Sequence, residues 1–137
     1  MSVVSELIRK EDDGTVSFGD YSLDKKTKLD NFEIAGDVYK VKTFNEITKL
    51  ERNGMFVYES VPGTTVTGLK VSENGESFMV EGEKDAQITL ELEENADYNI
   101  CIDGKDAGTF TTNLGGKLSV SVELEKDKAV KVEVLKA

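Results

Sequence analysis

The last third of the chain, residues 97–135, reads DYNICIDGKDAGTFTTNLGGKLSVSVELEKDKAVKVEVL. Successive side chains of a β-strand point to opposite faces of a sheet, so a half-buried strand alternates apolar and polar residues. Three runs of this stretch alternate in that way, with apolar residues at Tyr98, Ile100, Ile102, Leu118, Val120, Val122, Leu124, Val130, Val132 and Val134. The pattern predicts four antiparallel strands at about 97–102, 108–113, 117–124 and 129–135.

The breaks between these runs have the composition of turns. Asp103-Gly104 and Gly115-Gly116 tolerate the positive φ angles of tight hairpins, and residues 125–128 form a charged tip. The four strands are therefore predicted to form a meander with one apolar face. Such a small sheet cannot be stable with that face in water, so we expect the first half of the chain to cover it in a sheet-on-sheet arrangement.

The rest of the chain continues the same pattern, with about ten to twelve short strands in all and a turn every 8–12 residues. We therefore predict an all-β protein, specifically an antiparallel β-sandwich, with a closed barrel as the alternative. Two segments are ambiguous. The first ten residues fit either a short helix or a first strand. Residues 44–52 fit a short helix, or a hairpin through Asn53-Gly54, and the hairpin is favoured.

The two halves of the chain also resemble each other. Asn53-Gly54 precedes the run Phe56–Val61 much as Gly115-Gly116 precedes the run Leu118–Glu123, and the matched positions are about 60 residues apart. A constant offset is typical of a duplicated unit.

The duplication predicts a particular division of the chain. We expect an N-terminal segment (1–13), a first β unit (14–72) and a second β unit (73–137), together forming one compact domain.

The charge of the chain argues against two classes of partner. The net charge is −10 and the isoelectric point is about 4.5, so nucleic acid and anionic membranes are disfavoured. The single cysteine, Cys101, forms no internal disulfide, and the first residues lack the pattern of a secretory signal. We expect a cytoplasmic protein, or a piece of a longer exported one. A protein partner or self-association remains open.

Composition also argues against several kinds of catalytic and metal-binding site. The chain has no histidine, which removes catalytic triads, imidazole proton transfer and histidine metal sites. Cys101 has no neighbouring base to activate it. The acidic clusters at residues 11–14 and 103–106 lack the spacing of a calcium loop, and residues 14–19 lack the lysine of a phosphate loop. We therefore predict no cofactor, no metal site and no catalytic residue.

One run is apolar on both faces, namely Met55, Phe56, Val57 and Tyr58. One interpretation is a central strand that is buried on both sides. The other is an interaction patch for a partner chain or a second subunit. These four residues are the candidate interaction site that the sequence offers.

The sequence thus favours a non-enzymatic binding or assembly module. One alternative is an accessory surface module that binds carbohydrate or protein as part of an exported assembly. Another is a small carboxylate-dependent hydrolase, since the 27 acidic residues would supply carboxylate pairs.

Overall fold

A computed structural model describes residues 3–137, which form thirteen β-strands and no helix. The strands are β1 (Ile8–Lys10), β2 (Val16–Phe18), β3 (Thr27–Ile34), β4 (Asp37–Thr43), β5 (Thr48–Arg52), β6 (Met55–Val61), β7 (Thr65–Ser72), β8 (Gly75–Glu81), β9 (Ala86–Glu91), β10 (Asp97–Ile102), β11 (Lys105–Thr111), β12 (Lys117–Val122) and β13 (Val130–Lys136).

The strands form two antiparallel sheets that pack face to face, which confirms the predicted sandwich. The first sheet has the order β1-β2-β7-β8-β13-β10-β11, and the second has the order β12-β9-β6-β5-β4-β3. The inner faces of both sheets form one hydrophobic core. Ile100, Val120 and Val132 are 0%, 5% and 0% exposed. The alternation in residues 97–135 therefore assigned the inward side chains correctly.

The prediction of a C-terminal meander is wrong in one respect. Strands β10, β11 and β13 lie in the first sheet, but β12 lies at the edge of the second sheet, where it pairs with β9. The chain crosses between the sheets just after β11. There the buried Thr112 hydroxyl donates to the Glu93 carbonyl at 2.6 Å and accepts from the Ala96 N–H at 2.9 Å. Alternation identifies inward residues but not the sheet they belong to, because both inner faces are apolar.

Each of the two ambiguous segments contains a strand, and neither is helical within the described residues. Strands β5 and β6 form the predicted hairpin, and the connecting Asn53 and Gly54 have φ angles of 53° and 77°. Positive φ at both turn residues is what a type I′ hairpin requires. In the N-terminal segment, residues 8–10 form β1, which pairs with β2. Met1 and Ser2, which belong to the predicted N-terminal segment, lie outside the described residues.

The duplication stays a prediction. Strand β2 pairs with β7 as β8 pairs with β13, and β4 pairs with β5 as β10 pairs with β11. The next strands differ, because β6 pairs with β5 within the second sheet, whereas β12 and β11 lie in different sheets.

A buried polar cluster connects the core to the end of β6. The Tyr58 hydroxyl lies 2.7 Å from the Thr64 hydroxyl, which lies 2.8 Å from the Ser60 hydroxyl. The Thr48 hydroxyl donates to the Thr64 carbonyl at 2.8 Å. The Tyr58 ring makes edge-to-face contacts with Phe18 and Phe78 of the first sheet. Each hydroxyl of this cluster therefore has a partner, as burial of polar groups requires.

Thr64→Val is expected to lower the free energy of unfolding by about 2 kcal/mol, because it removes a hydrogen-bond partner of the fully buried Tyr58 hydroxyl. Urea unfolding measures the change. Thr109→Val is the matched control, since it removes an exposed hydroxyl that donates to Asn99. The control should change stability by less than about 0.5 kcal/mol. Equal effects of the two substitutions would contradict the assigned cluster.

Candidate functional site

A cleft of about 340 Å³ opens at the end of the sandwich where the β5–β6 hairpin faces the β7–β8 hairpin. We call it the Glu76 cleft. Both sheets contribute to its wall, which combines apolar side chains with several carboxyl groups. The apolar members are Met55, Phe56, Val57, Val71 and Leu92, and the polar members are Arg52, Asn53, Ser72, Glu73, Glu76, Glu91, Glu93 and Tyr98.

The side chain of Glu76 is on the core-facing side of β8. It lies on β8 two residues before Phe78 and four before Val80, which both face the core, so it has the same orientation. Gly75 precedes it with a φ of 145°, and a side chain there would collide with the Val134 carbonyl oxygen of β13. The close approach of β8 to β13 therefore requires a glycine beside Glu76.

The Glu76 carboxyl is buried and incompletely paired. The residue is only 5% exposed. Its Oε2 has no hydrogen-bond partner within residues 3–137, a property it shares in that range with the Tyr21 hydroxyl. An unpaired acceptor in such a position costs about 1–3 kcal/mol, so it calls for an explanation.

Burial also changes the ionisation of this group. It raises the pKa of Glu76 to about 8, while the positive charge of Arg52 acts in the opposite direction. A carboxyl group with this pKa is largely neutral at pH 7. The cleft therefore contains a carboxylic acid that can exchange a proton near physiological pH.

Arg52 occupies the facing wall. It is the last residue of β5 and has the inward parity of Thr48 and Leu50. Its guanidinium forms no ion pair with any carboxylate in the described part of the chain. Four glutamates line the cleft against this one cation. The rim is therefore acidic, although Lys136 forms an ion pair with Glu93.

The four residues of the predicted interaction patch differ in how exposed they are. Val57 and Tyr58 are buried, whereas Met55 is 65% exposed and Phe56 is half-buried. The Phe56 ring lies between two ammonium groups, with Lys117 Nζ 4.7 Å and Lys49 Nζ 5.8 Å from its centroid. The accessible part of the patch is thus Met55 and Phe56, at the rim of the Glu76 cleft.

Sequence analysis missed Glu76 and Arg52. Glu76 directly follows Asn74-Gly75, which is a turn signal, so in the sequence it resembles a solvent-exposed turn residue. A usable signal was present, since Glu76, Phe78 and Val80 continue one alternating run. A carboxyl group at an inward position of a strand is unusual, because ionised carboxyls are rarely buried.

Both of the rejected calcium clusters contain carboxylates that have partners within the chain. Glu11 bonds to Arg9 and Ser17, and Asp103 Oδ1 accepts from the Lys131 N–H at 2.9 Å. Within residues 3–137 no group of three or more acidic or cysteine side chains is arranged to hold a metal ion. Cys101 is half-buried.

A second, wider groove of about 610 Å³ lies between the β10–β11 turn and the end of β12. Its charged side chains, such as Asp85, Asp106, Glu123 and Lys128, are exposed. The Glu76 cleft differs from this groove because it contains a buried and unpaired polar group.

Comparison with protein-family models, with curated proteins and with solved structures gave no match. Residues 3–137 contain no helix that is long and apolar enough to cross a membrane. Function therefore has to be inferred from the residues and their geometry.

Proposed function

We infer that this protein is a non-catalytic binding module whose Glu76 cleft receives a cationic side chain of a partner protein. The observation that carries the proposal is the Glu76 carboxyl group, which belongs to a residue lining an open cleft while its buried Oε2 has no hydrogen-bond partner among residues 3–137. A donor supplied by a ligand would remove the cost of that unpaired acceptor.

The charges of the cleft favour a cation. Glu73, Glu91 and Glu93 line the cleft together with Glu76, and Arg52 is the only basic residue in the lining. An ammonium group beside Glu76 would stabilise the ionised carboxylate, and its hydrocarbon stem would pack on Met55 and Leu92. Methionine suits such a contact, because its flexible side chain adapts to different shapes.

The aromatic residues favour a protein ligand over a carbohydrate. Sugar binding typically uses exposed aromatic faces, but all four tyrosines are at most 7% exposed: Tyr21, Tyr39, Tyr58 and Tyr98. The chain also has no tryptophan. A lysine-like side chain needs no such stacking surface.

The proposal has a pH dependence with a definite sign. The free protein holds a proton on Glu76 up to a pKa of about 8, and a bound ammonium group favours loss of that proton. Cation binding therefore releases a proton and should strengthen as the pH rises from 6 to 8.

Two small probes test the proposal by NMR titration. N-acetyl-lysine methylamide carries the ammonium group, and N-acetyl-norleucine methylamide has a similar stem without it. We expect the lysine compound alone to shift the signals of Met55 and Glu76, and more strongly at pH 8 than at pH 6. Glu76→Gln should abolish the pH dependence, whereas Glu59→Gln, on the outer face of the second sheet, should not. Equal binding of both probes would contradict a cation site.

One observation favours a second function, a carboxylate-dependent hydrolase. A buried carboxyl group with a raised pKa, such as that of Glu76, is typical of a general acid. Glu73, Glu91 and Glu93 line the same cleft and would supply the second carboxylate that such a hydrolase uses. A panel of chromogenic glycosides tests this alternative. Hydrolysis by the wild-type protein that is lost in Glu76→Gln would favour the enzyme over the binding module.

A further inference from the structure

The outer face of the second sheet carries lysines that lie directly opposite one another on adjacent strands. Lys28 of β3 is the register partner of Lys42 of β4, which is in turn the partner of Lys49 of β5. Lys40 lies two residues before Lys42 on the same face and is opposite Glu51. We call Lys28, Lys40, Lys42 and Lys49 the lysine face. A shallow depression of about 80 Å³ lies between these four side chains and Glu51.

This arrangement costs stability. Adjacent strands are about 4.8 Å apart, and like charges directly opposite each other on neighbouring strands are destabilising. Lys49 forms an ion pair with Glu51 at 3.7 Å. Lys28, Lys40 and Lys42 form no ion pair within residues 3–137. Lys42 has a lysine on each side in its row.

The neighbouring lysines affect the ionisation of Lys42. It is half-buried, and burial lowers its pKa, as do the charges of Lys26, Lys49 and Lys28, while the charge of Glu59 acts in the opposite direction. The chain as a whole has 27 acidic and 17 basic residues. Carboxylates that could separate these lysines are therefore abundant, yet none lies opposite Lys42. Solubility does not require a row of like charges in an acidic protein.

We propose that the lysine face is a docking surface for an acidic segment of a partner protein. Carboxylates of such a segment would supply the counter-charges that the chain itself does not place beside Lys28 and Lys42. Lysine ammonium groups act as mobile point charges, which suits carboxylates in a flexible segment. The face lies on the opposite side of the second sheet from the core, and none of its four lysines lines the Glu76 cleft. Lys49 is the member nearest the cleft rim, with its Nζ 5.8 Å from the centroid of the Phe56 ring. The proposal therefore does not rest on Glu76.

The boundaries of the face favour a short acidic segment over nucleic acid. The positive row spans three strands, or about 10 Å, and the next residue in the row is Glu59, opposite Lys49. A nucleic acid would extend beyond this area and meet a protein of net charge −10. A second copy of the chain would carry the same net charge of −10.

The test uses the intact protein and a short fluorescein-labelled oligoglutamate as the probe, measured by fluorescence anisotropy at low ionic strength. We expect Lys42→Glu to weaken binding at least about tenfold, because it replaces the central cation with an anion. Lys84→Glu is the matched control: it makes the same change in net charge at an exposed site in the β8–β9 turn, and binding should be retained.

A stability measurement separates docking from folding. Lys42→Glu places a carboxylate between Lys28 and Lys49, so we expect its Tm to rise by about 3 °C while binding is lost. Binding that is equal in wild-type and Lys42→Glu would overturn the proposal. So would tighter binding of a single-stranded oligonucleotide than of oligoglutamate, or self-association of the wild-type protein that Lys42→Glu abolishes in sedimentation.

Discussion

Glu76→Gln is expected to be more stable than the wild-type protein by roughly 3 kcal/mol at pH 7, and about equally stable at pH 4.5. The substitution preserves the size of the side chain and removes its ionisation. The expected gain is large because Glu76 is only 5% exposed and its Oε2 lacks a hydrogen-bond partner in residues 3–137. Chemical unfolding of both proteins across this pH range measures the difference.

The sign follows from the two pKa values. The carboxyl group titrates near 4.5 in the unfolded chain and near 8 in the folded protein. Between these values the folded state binds one more proton than the unfolded state, so the stability of the wild-type protein falls as the pH rises. The slope for one proton is about 1.4 kcal/mol per pH unit, and above pH 8 the loss is complete.

Glu59→Gln is the control for this prediction. It removes a carboxylate from the outer face of the second sheet, where Glu59 lies opposite Lys49 and Thr89. Its stability relative to wild-type should not rise between pH 4.5 and pH 8. A stability difference between wild-type and Glu76→Gln that stays constant with pH would show that Glu76 is ionised in the folded protein.

Val120→Asp should destabilise the protein by about 4 kcal/mol or more, because it places an unpaired charge in the core. Val120 is 5% exposed and lies opposite Ile88 on the inner face of the second sheet. A loss of this size is comparable to the whole stability of many domains, so much of the protein should unfold at 37 °C. Circular dichroism during thermal unfolding provides the measurement.

Ser119→Asp is the matched control for Val120→Asp. It introduces the same side chain one residue earlier, on the exposed face, where the Ser119 hydroxyl is within 2.8 Å of the Thr89 hydroxyl. Loss of this one exposed contact should cost less than about 1 kcal/mol. A near-native melting temperature for Val120→Asp would mean that the parity of β12 is wrongly assigned.

The alternation of residues predicted the fold class and the inward side chains, because a strand has only two faces. It also located irregularities. In the sequence, the alternation of apolar and polar residues is interrupted near Asn31 and again at Gly68. The structure has register shifts between Leu29 and Phe32 and between Thr67 and Lys70, with φ angles of 59° at Asn31 and 66° at Gly68. Positive φ favours glycine and asparagine, so these positions are visible in the sequence.

Strand pairing was less predictable. Sequence analysis placed β12 next to β11, but β12 pairs with β9, on the opposite sheet. Pairing with β11 and pairing with β9 would bury the same side chains of β12. The pattern of apolar and polar residues therefore does not distinguish the two pairings. The lysine face was hidden for the same reason. Lys28, Lys42 and Lys49 are far apart in the sequence and become neighbours only when the register of β3, β4 and β5 is known.

The candidate site was partly predictable. The apolar run at residues 55–58 lies in β6, where Val57 and Tyr58 are buried and the exposed end lines the Glu76 cleft. The chemistry of the cleft comes from Glu76 and Arg52, which lie on different sheets and meet only after the sandwich closes. Strand alternation shows that Glu76 faces inward, but it does not show which residues surround it.

The most direct test of this account is the titration of the Glu76 side chain itself, followed through its carboxyl ¹³C chemical shift in the folded wild-type protein. Glu76→Gln identifies the signal, which should be missing from its spectrum. We predict a single transition with a midpoint near pH 8. A midpoint near 4.5, the ordinary value for glutamate, would show that the carboxyl is already solvated or paired, and would contradict the binding site proposed for the cleft.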